Sequence, residues 1–168
     1  MKNYNLLILL LLFFSYNNYA KEINNFANTN WIFDNVSKID AYGKNNEDTR
    51  KVLRSTNEHI NISFTDHDTI IIQNNISQNQ VVCNKPYSVR LNTPLDYFYS
   101  EATVDLYNAI LAKQNEVFAN QIKIIKTGLN DNCMRPYEEL IENNERLIVI
   151  DNFYLVFFKK AANSSLKQ

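Results

Sequence analysis

Residues 146–158 read RLIVIDNFYLVFF. Two runs rich in β-branched and aromatic side chains flank Asp151-Asn152, a pair that tolerates the left-handed backbone of a tight turn, so the stretch predicts a β-hairpin. In its second arm Phe153, Leu155 and Phe157 fall on one face and Tyr154, Val156 and Phe158 on the other. A strand apolar on both faces is stable only where both are covered, so this arm belongs inside a sheet with packing on either side.

The rest of the chain supplies that packing. Residues 121–127, with Ile122, Ile124 and Ile125, are expected as a strand ended by Gly128, and Tyr137 to Ile141 as a short helical turn. Ser100, with Glu101 in the first turn, starts the one convincing helix, expected over 101–118 with Leu106, Ala109, Ile110 and Val117 along its buried stripe. Tyr87, Val89 and Leu91 alternate with Ser88, Arg90 and Asn92 in a half-exposed strand. Ile60, Ile62 and Phe64 alternate with Asn61 and Ser63 in the first arm of a hairpin placed within 53–73 and turned by residues 65–68. Residues 44–51 are expected as a solvated loop, and Trp31, Phe33 and Val36 open the packed part. The fold expected is α+β: a curved, mostly antiparallel, barrel-like sheet of five to seven strands, packed against one main helix and held by one disulfide.

The chain has 168 residues, with 17 basic and 18 acidic side chains, 2 Gly, 2 His and 2 Cys, and a mean hydropathy of −0.35. Gly43 and Gly128 stand far apart, which excludes the glycine-rich phosphate loops and the strained nucleophile elbow of the α/β-hydrolases. A formal charge of −1 with no basic run gives no field for a nucleic acid. Residues 1–20 have the form of an export signal: Lys2, an apolar run from Leu6 to Phe14, and a polar stretch ending at Ala20. Nine apolar residues reach about 14 Å as a helix, short of the roughly 30 Å of a bilayer core, so cleavage rather than anchoring is expected. The expected product is a single domain over 21–160 with a disordered tail over 161–168, in the periplasm or outside the cell.

In an oxidising compartment Cys83 and Cys133 are expected to pair. The loop they close spans about 50 residues, for which the chain-entropy model gives about 4 kcal/mol. Both cysteines open the same pentapeptide, Cys83-Asn-Lys-Pro-Tyr87 and Cys133-Met-Arg-Pro-Tyr137. Two readings follow: a quasi-symmetric clasp with each Tyr against the disulfide, or a paired cationic spot in which Lys85 and Arg135 grip an acidic group.

Catalytic sets are thin. His59 and His67 are the two imidazoles, and the turn Asp66-His67-Asp68 lacks the glycine-bearing loop of a calcium site, so no metal and no cofactor are expected. Asp96, Glu101, Asp105, Glu138 and Glu139 are carboxylates without a readable separation. Aromatic side chains are the remaining resource. Tyr97, Phe98 and Tyr99 crowd a connection before the helix, where two of the three rings are expected to pack as core, and this segment with the polar loop 74–80 is the place to look for an interface. The profile is that of a non-catalytic exported protein that occludes a protein partner, a toxin or a hydrolase. The alternative is a carrier holding a small apolar ligand in a lipocalin-like cavity.

Overall fold

A computed structural model describes residues 26–66, 68–76, 80–127 and 135–162. The expected export signal, His67, Cys133 and residues 163–168 of the expected tail lie outside them. Eight strands follow one another: β1 Thr29–Val36, β2 Ile60–Phe64, β3 Thr69–Asn74, β4 Gln80–Asn92, β5 Ile122–Thr127, β6 Glu139–Asn143, β7 Arg146–Asp151 and β8 Tyr154–Lys160. Each is antiparallel to the next, and β8 pairs back onto β1, so the sheet closes into a barrel. Helix α1, Glu47–Asn57, joins β1 to β2; α2, Pro94–Phe98, and α3, Glu101–Ala112, join β4 to β5.

Alternation sorts the side chains. Trp31, Ile62, Phe64, Ile70, Ile72, Ile125, Leu140, Leu147, Val149, Tyr154, Val156 and Phe158 form one buried cluster, the barrel interior. An eight-stranded barrel is just wide enough to be filled by such side chains. A second cluster joins Tyr107, Ile110 and Leu111 of α3 to Ile122, Ile124, Ile141, Ile148, Leu155 and Phe157, on the outer face of β5–β8. The two-faced β8 thus has both coverings its sequence demands: barrel core within, α3 without.

Several details differ from the sequence expectation. The last turn is Asn152-Phe153, at φ +48° and +66°, one residue later than expected, and Asp151 pairs with Tyr154 inside the ladder. Phe is an unusual residue for left-handed backbone. Its carbonyl accepts a hydrogen bond from the Ala41 N–H (2.9 Å), while Ser37 N–H bonds the Leu155 carbonyl (2.8 Å), which pins the tip to the segment after β1. Residues 139–143 form β6 rather than a helical turn. Leu140 points inward and Ile141 outward, a period of two too short to distinguish from helix by pattern alone. Part of the expected 44–51 loop, and residues 53–57 of the expected hairpin, form α1. Val52 and Leu53 are its only aliphatic side chains larger than a methyl, so its periodicity is weak, yet Asn46 caps it by accepting from Thr49 N–H, and Glu47, Asp48 and Arg54 complement its dipole.

Helix α3 ends at Ala112, not 118, and is rotated from the expected stripe. Tyr107, Ile110 and Leu111 are buried, whereas Leu106 and Val117 are exposed. Asn108 Oδ1 accepts from Phe118 N–H, and Asn143 binds both Ala119 N–H and the Val117 carbonyl, so side chains rather than further helical turns tie down the segment after α3.

Helix α1 covers one end of the barrel. Its buried Asn57 accepts a hydrogen bond from the Tyr137 hydroxyl at 2.5 Å and donates to the Leu53 carbonyl at 2.7 Å. At the other end Phe26 packs on Phe64 with ring centroids 5.0 Å apart, under the ammonium of Lys123 at 5.3 Å.

Candidate functional site

With its interior packed, the barrel offers chemistry on its outside, beside α2. Thr93 caps this short helix by accepting from Asp96 N–H, Pro94 starts it, and Tyr99 ends it in left-handed backbone at φ +56°. The geometry divides the three expected interface rings. Phe98 stacks on Tyr107 (5.1 Å) and touches Phe118 (5.5 Å), as core. Tyr97 is half-buried and donates its hydroxyl to Glu139 Oε1, while Tyr99 stands 91% exposed. Two rings pack and one faces water, the division read from the sequence.

Two grooves meet at the Tyr97–Glu139 pair. One, of about 340 Å³, is lined by Arg90, Asn92, Tyr97, Tyr99, Lys126 and Glu139. The other, of about 330 Å³, continues past Tyr97 and Glu139 to Arg135, Glu138, Ile150 and Asp151. Together they form a trough across the outer wall. Lys126 Nζ lies 2.5 Å from Glu139 Oε2, so the Glu139 carboxylate is held from both sides. Burial, then the bond to Glu139, raises the Tyr97 pKa well above its usual value, so this phenol stays protonated as a donor. Arg90 is exposed on the outer face of β4 with no ion pair among the described residues.

The two members of the expected cationic spot are placed differently. Arg135, 89% exposed and 3.6 Å from Glu138, lines the second groove, whereas Lys85 sits half-buried on the inward face of β4, opposite Ile70, and lines neither. The two tyrosines of the repeated pentapeptide meet different rings. Tyr87 packs edge-on against Phe64 and Tyr137 against Phe158, both at the core cluster that also holds Cys83, while the Cys133 half of the expected clasp lies outside the described residues. Cys83 is buried, and no cysteine is free among the described residues; the expected partner Cys133 lies outside them. His59 pairs with Glu58 at 3.3 Å in an exposed position. No group of three metal-ligating side chains occurs among the described residues.

Sequence reasoning missed Asp151, placed there in a turn. The register turns it inward at the barrel rim near α1, where burial raises its carboxyl pKa above the ordinary 3.8. It missed Tyr42 and Phe153 as well. Their rings meet edge-on at 5.1 Å and are 62% and 49% exposed beside the hairpin tip. A signal was available for Phe153, an aromatic residue directly after Asp-Asn, where only a turn residue is usual.

No family model, curated protein sequence or solved structure matches the chain.

Proposed function

We propose that this chain is a small exported, non-catalytic binding protein that occludes a protein partner, in the manner of an inhibitor or immunity protein, with the outer trough as its contact surface. The observation that carries the reading is Tyr99, held 91% exposed by a left-handed helix cap beside Arg90, which has no ion pair among the described residues. Tyrosine and arginine are the residue types that dominate protein interfaces, because each brings contact area and a polar tip. Processing after residue 20, release to the periplasm or beyond, and pairing of Cys83 with Cys133 belong to the same proposal.

The carrier alternative is weakened by the filled interior. Trp31, Ile62, Ile70, Ile72, Val156 and Phe158 are fully buried against one another where a ligand would sit. Native mass spectrometry of the gently purified mature protein separates the two. The binding reading expects the bare mass, and retention of partner affinity to drop at least tenfold in a folded Tyr99→Ala, Arg90→Ala variant. A stoichiometric small-molecule adduct, or full affinity in that variant, would overturn it.

A further inference from the structure

The second groove ends at Asp151, and Asp151 also lines a larger groove, of about 730 Å³, between α1 and the tip of the β7–β8 hairpin. Its α1 wall presents Asp48, Thr49, Val52, Leu53 and Thr56, and Asn152 completes the hairpin side. Residues 48, 52 and 56 recur every four positions, so one face of α1 is turned to the groove. The basic residues of α1 fall on its other faces. Arg50 is held by the Ser37 carbonyl (3.0 Å) and Glu47 (2.6 Å), Lys51 lies 4.0 Å from Asp48, and Arg54 does not line the groove.

The result is a half-apolar slot bounded by two carboxylates and two threonine hydroxyls, with no cation among the described residues of its lining. Asp151 is half-buried and meets no ion pair or hydrogen-bond donor among the described residues. A carboxylate that has lost part of its water without gaining a partner is an unmet demand for a cation. Val52 is 62% exposed on the floor, an apolar surface along which an alkyl stem can lie. An aliphatic stem that ends in a cationic head is the shape of a lysine or arginine side chain.

We infer that the α1–hairpin groove receives a basic side chain, lysine or arginine, presented by the protein partner, its stem on Val52 and Leu53 and its cationic head on the Asp151 carboxylate. The protein source of that side chain rests on the binding function proposed above; the chemistry of the groove does not. Thr49, Thr56 and Asn152 supply oxygens for the remaining N–H donors. The exposed Phe153–Tyr42 pair adjoins the same tip and gives the partner an apolar rim to cover.

The test needs no partner. The full mature protein, isotopically labelled, is titrated with N-acetyl-lysine-N-methylamide and N-acetyl-arginine-N-methylamide, with the norleucine analogue as the neutral isostere, while backbone amide shifts are followed. Expected are saturable shifts confined to residues 48–56 and 150–153 for both cations, at least tenfold weaker for norleucine and at least tenfold weaker in Asp151→Asn. Val52→Lys, an exposed helix substitution that brings its own ammonium to the slot, is expected to abolish the response, and it serves if Asp151→Asn fails to fold. Absence of saturable shifts, equal binding of norleucine, or an unchanged response in a folded Asp151→Asn would each overturn the inference. A partner that contacts Tyr99 while the groove ignores cations would leave the proposed function standing and remove only this part.

Discussion

In β1–β4 the outward side chains are mostly polar or exposed, among them Asn61, Ser63, Gln73, Asn84, Ser88 and Arg90, whereas in β5–β8 Ile124, Ile141, Ile148, Leu155 and Phe157 point outward and are buried. The two halves of one closed sheet therefore carry different loads. The first needs only an inner face and water. The second is a three-layer structure in which the wall separates the barrel core from the α3 cluster, and its outer side chains bind a helix that carries α2 and Tyr99 with it. The lesson is that the packed outer half positions the trough. Phe98, Tyr107 and Phe118 fasten α2 and α3 to strands already packed from within.

The largest expected difference lies between outward residues of the two halves. Phe157→Ala, fully buried beneath α3, should cost about 3–4 kcal/mol in urea unfolding, and Ile71→Ala, half-exposed on β3, about 1 kcal/mol or less. Similar costs at the two positions would mean that the outer half is not a true core. Next in size is the lid. Asn57→Ala removes the acceptor of the buried Tyr137 hydroxyl and should cost about 2 kcal/mol, with Tyr137→Phe nearer 1 kcal/mol, because the former strands a donor and the latter removes one. Amide exchange across α1 should accelerate in Asn57→Ala more than exchange in β7; uniform acceleration would argue that α1 and the barrel open together.

The smallest effect has a distinctive pH signature. The Asp151 carboxyl is raised in the folded state by burial, so its proton is bound more tightly there than in the unfolded chain. Its favourable contribution is therefore fully present below the unfolded value and is lost as pH rises through the folded one. Asp151→Asn should remove that slope above about pH 4 and be more stable at pH 7 by about 0.5 kcal/mol, a small figure because the carboxylate is partly solvated. A loss of stability at neutral pH would show that Asp151 has a favourable partner in the fold.

Much of this comparison was legible in residues 146–158, since two apolar faces on one strand required two coverings. The strand alternations at 60–64 and 87–91 were legible for the same reason. What escaped was set by tertiary context. Helix α1 has too few apolar side chains to show a stripe, although Asn46, Glu47 and Asp48 marked its start. The face of α3 was misjudged because Tyr107 and Leu111, rather than Leu106 and Val117, meet the strands. Barrel closure depends on the pairing of β8 with β1, whose partners stand 120 to 129 residues apart in sequence, which no local pattern encodes. At the site, Tyr97, Tyr99 and Arg135 were recoverable as aromatic and basic residues in connections. Asp151 was not, because a one-residue change in the turn moves it from loop to the inner face of a strand.

The most direct test of the outer trough as the working surface is site-specific photo-crosslinking in intact cells producing the full chain, with a benzophenone side chain placed at residue 99 and, separately, at residue 63 on the bare half. The account expects one defined protein adduct from position 99, none from position 63, and loss of the adduct when Arg90→Ala is added. Equal labelling from both positions, or an adduct from position 63 alone, would contradict it.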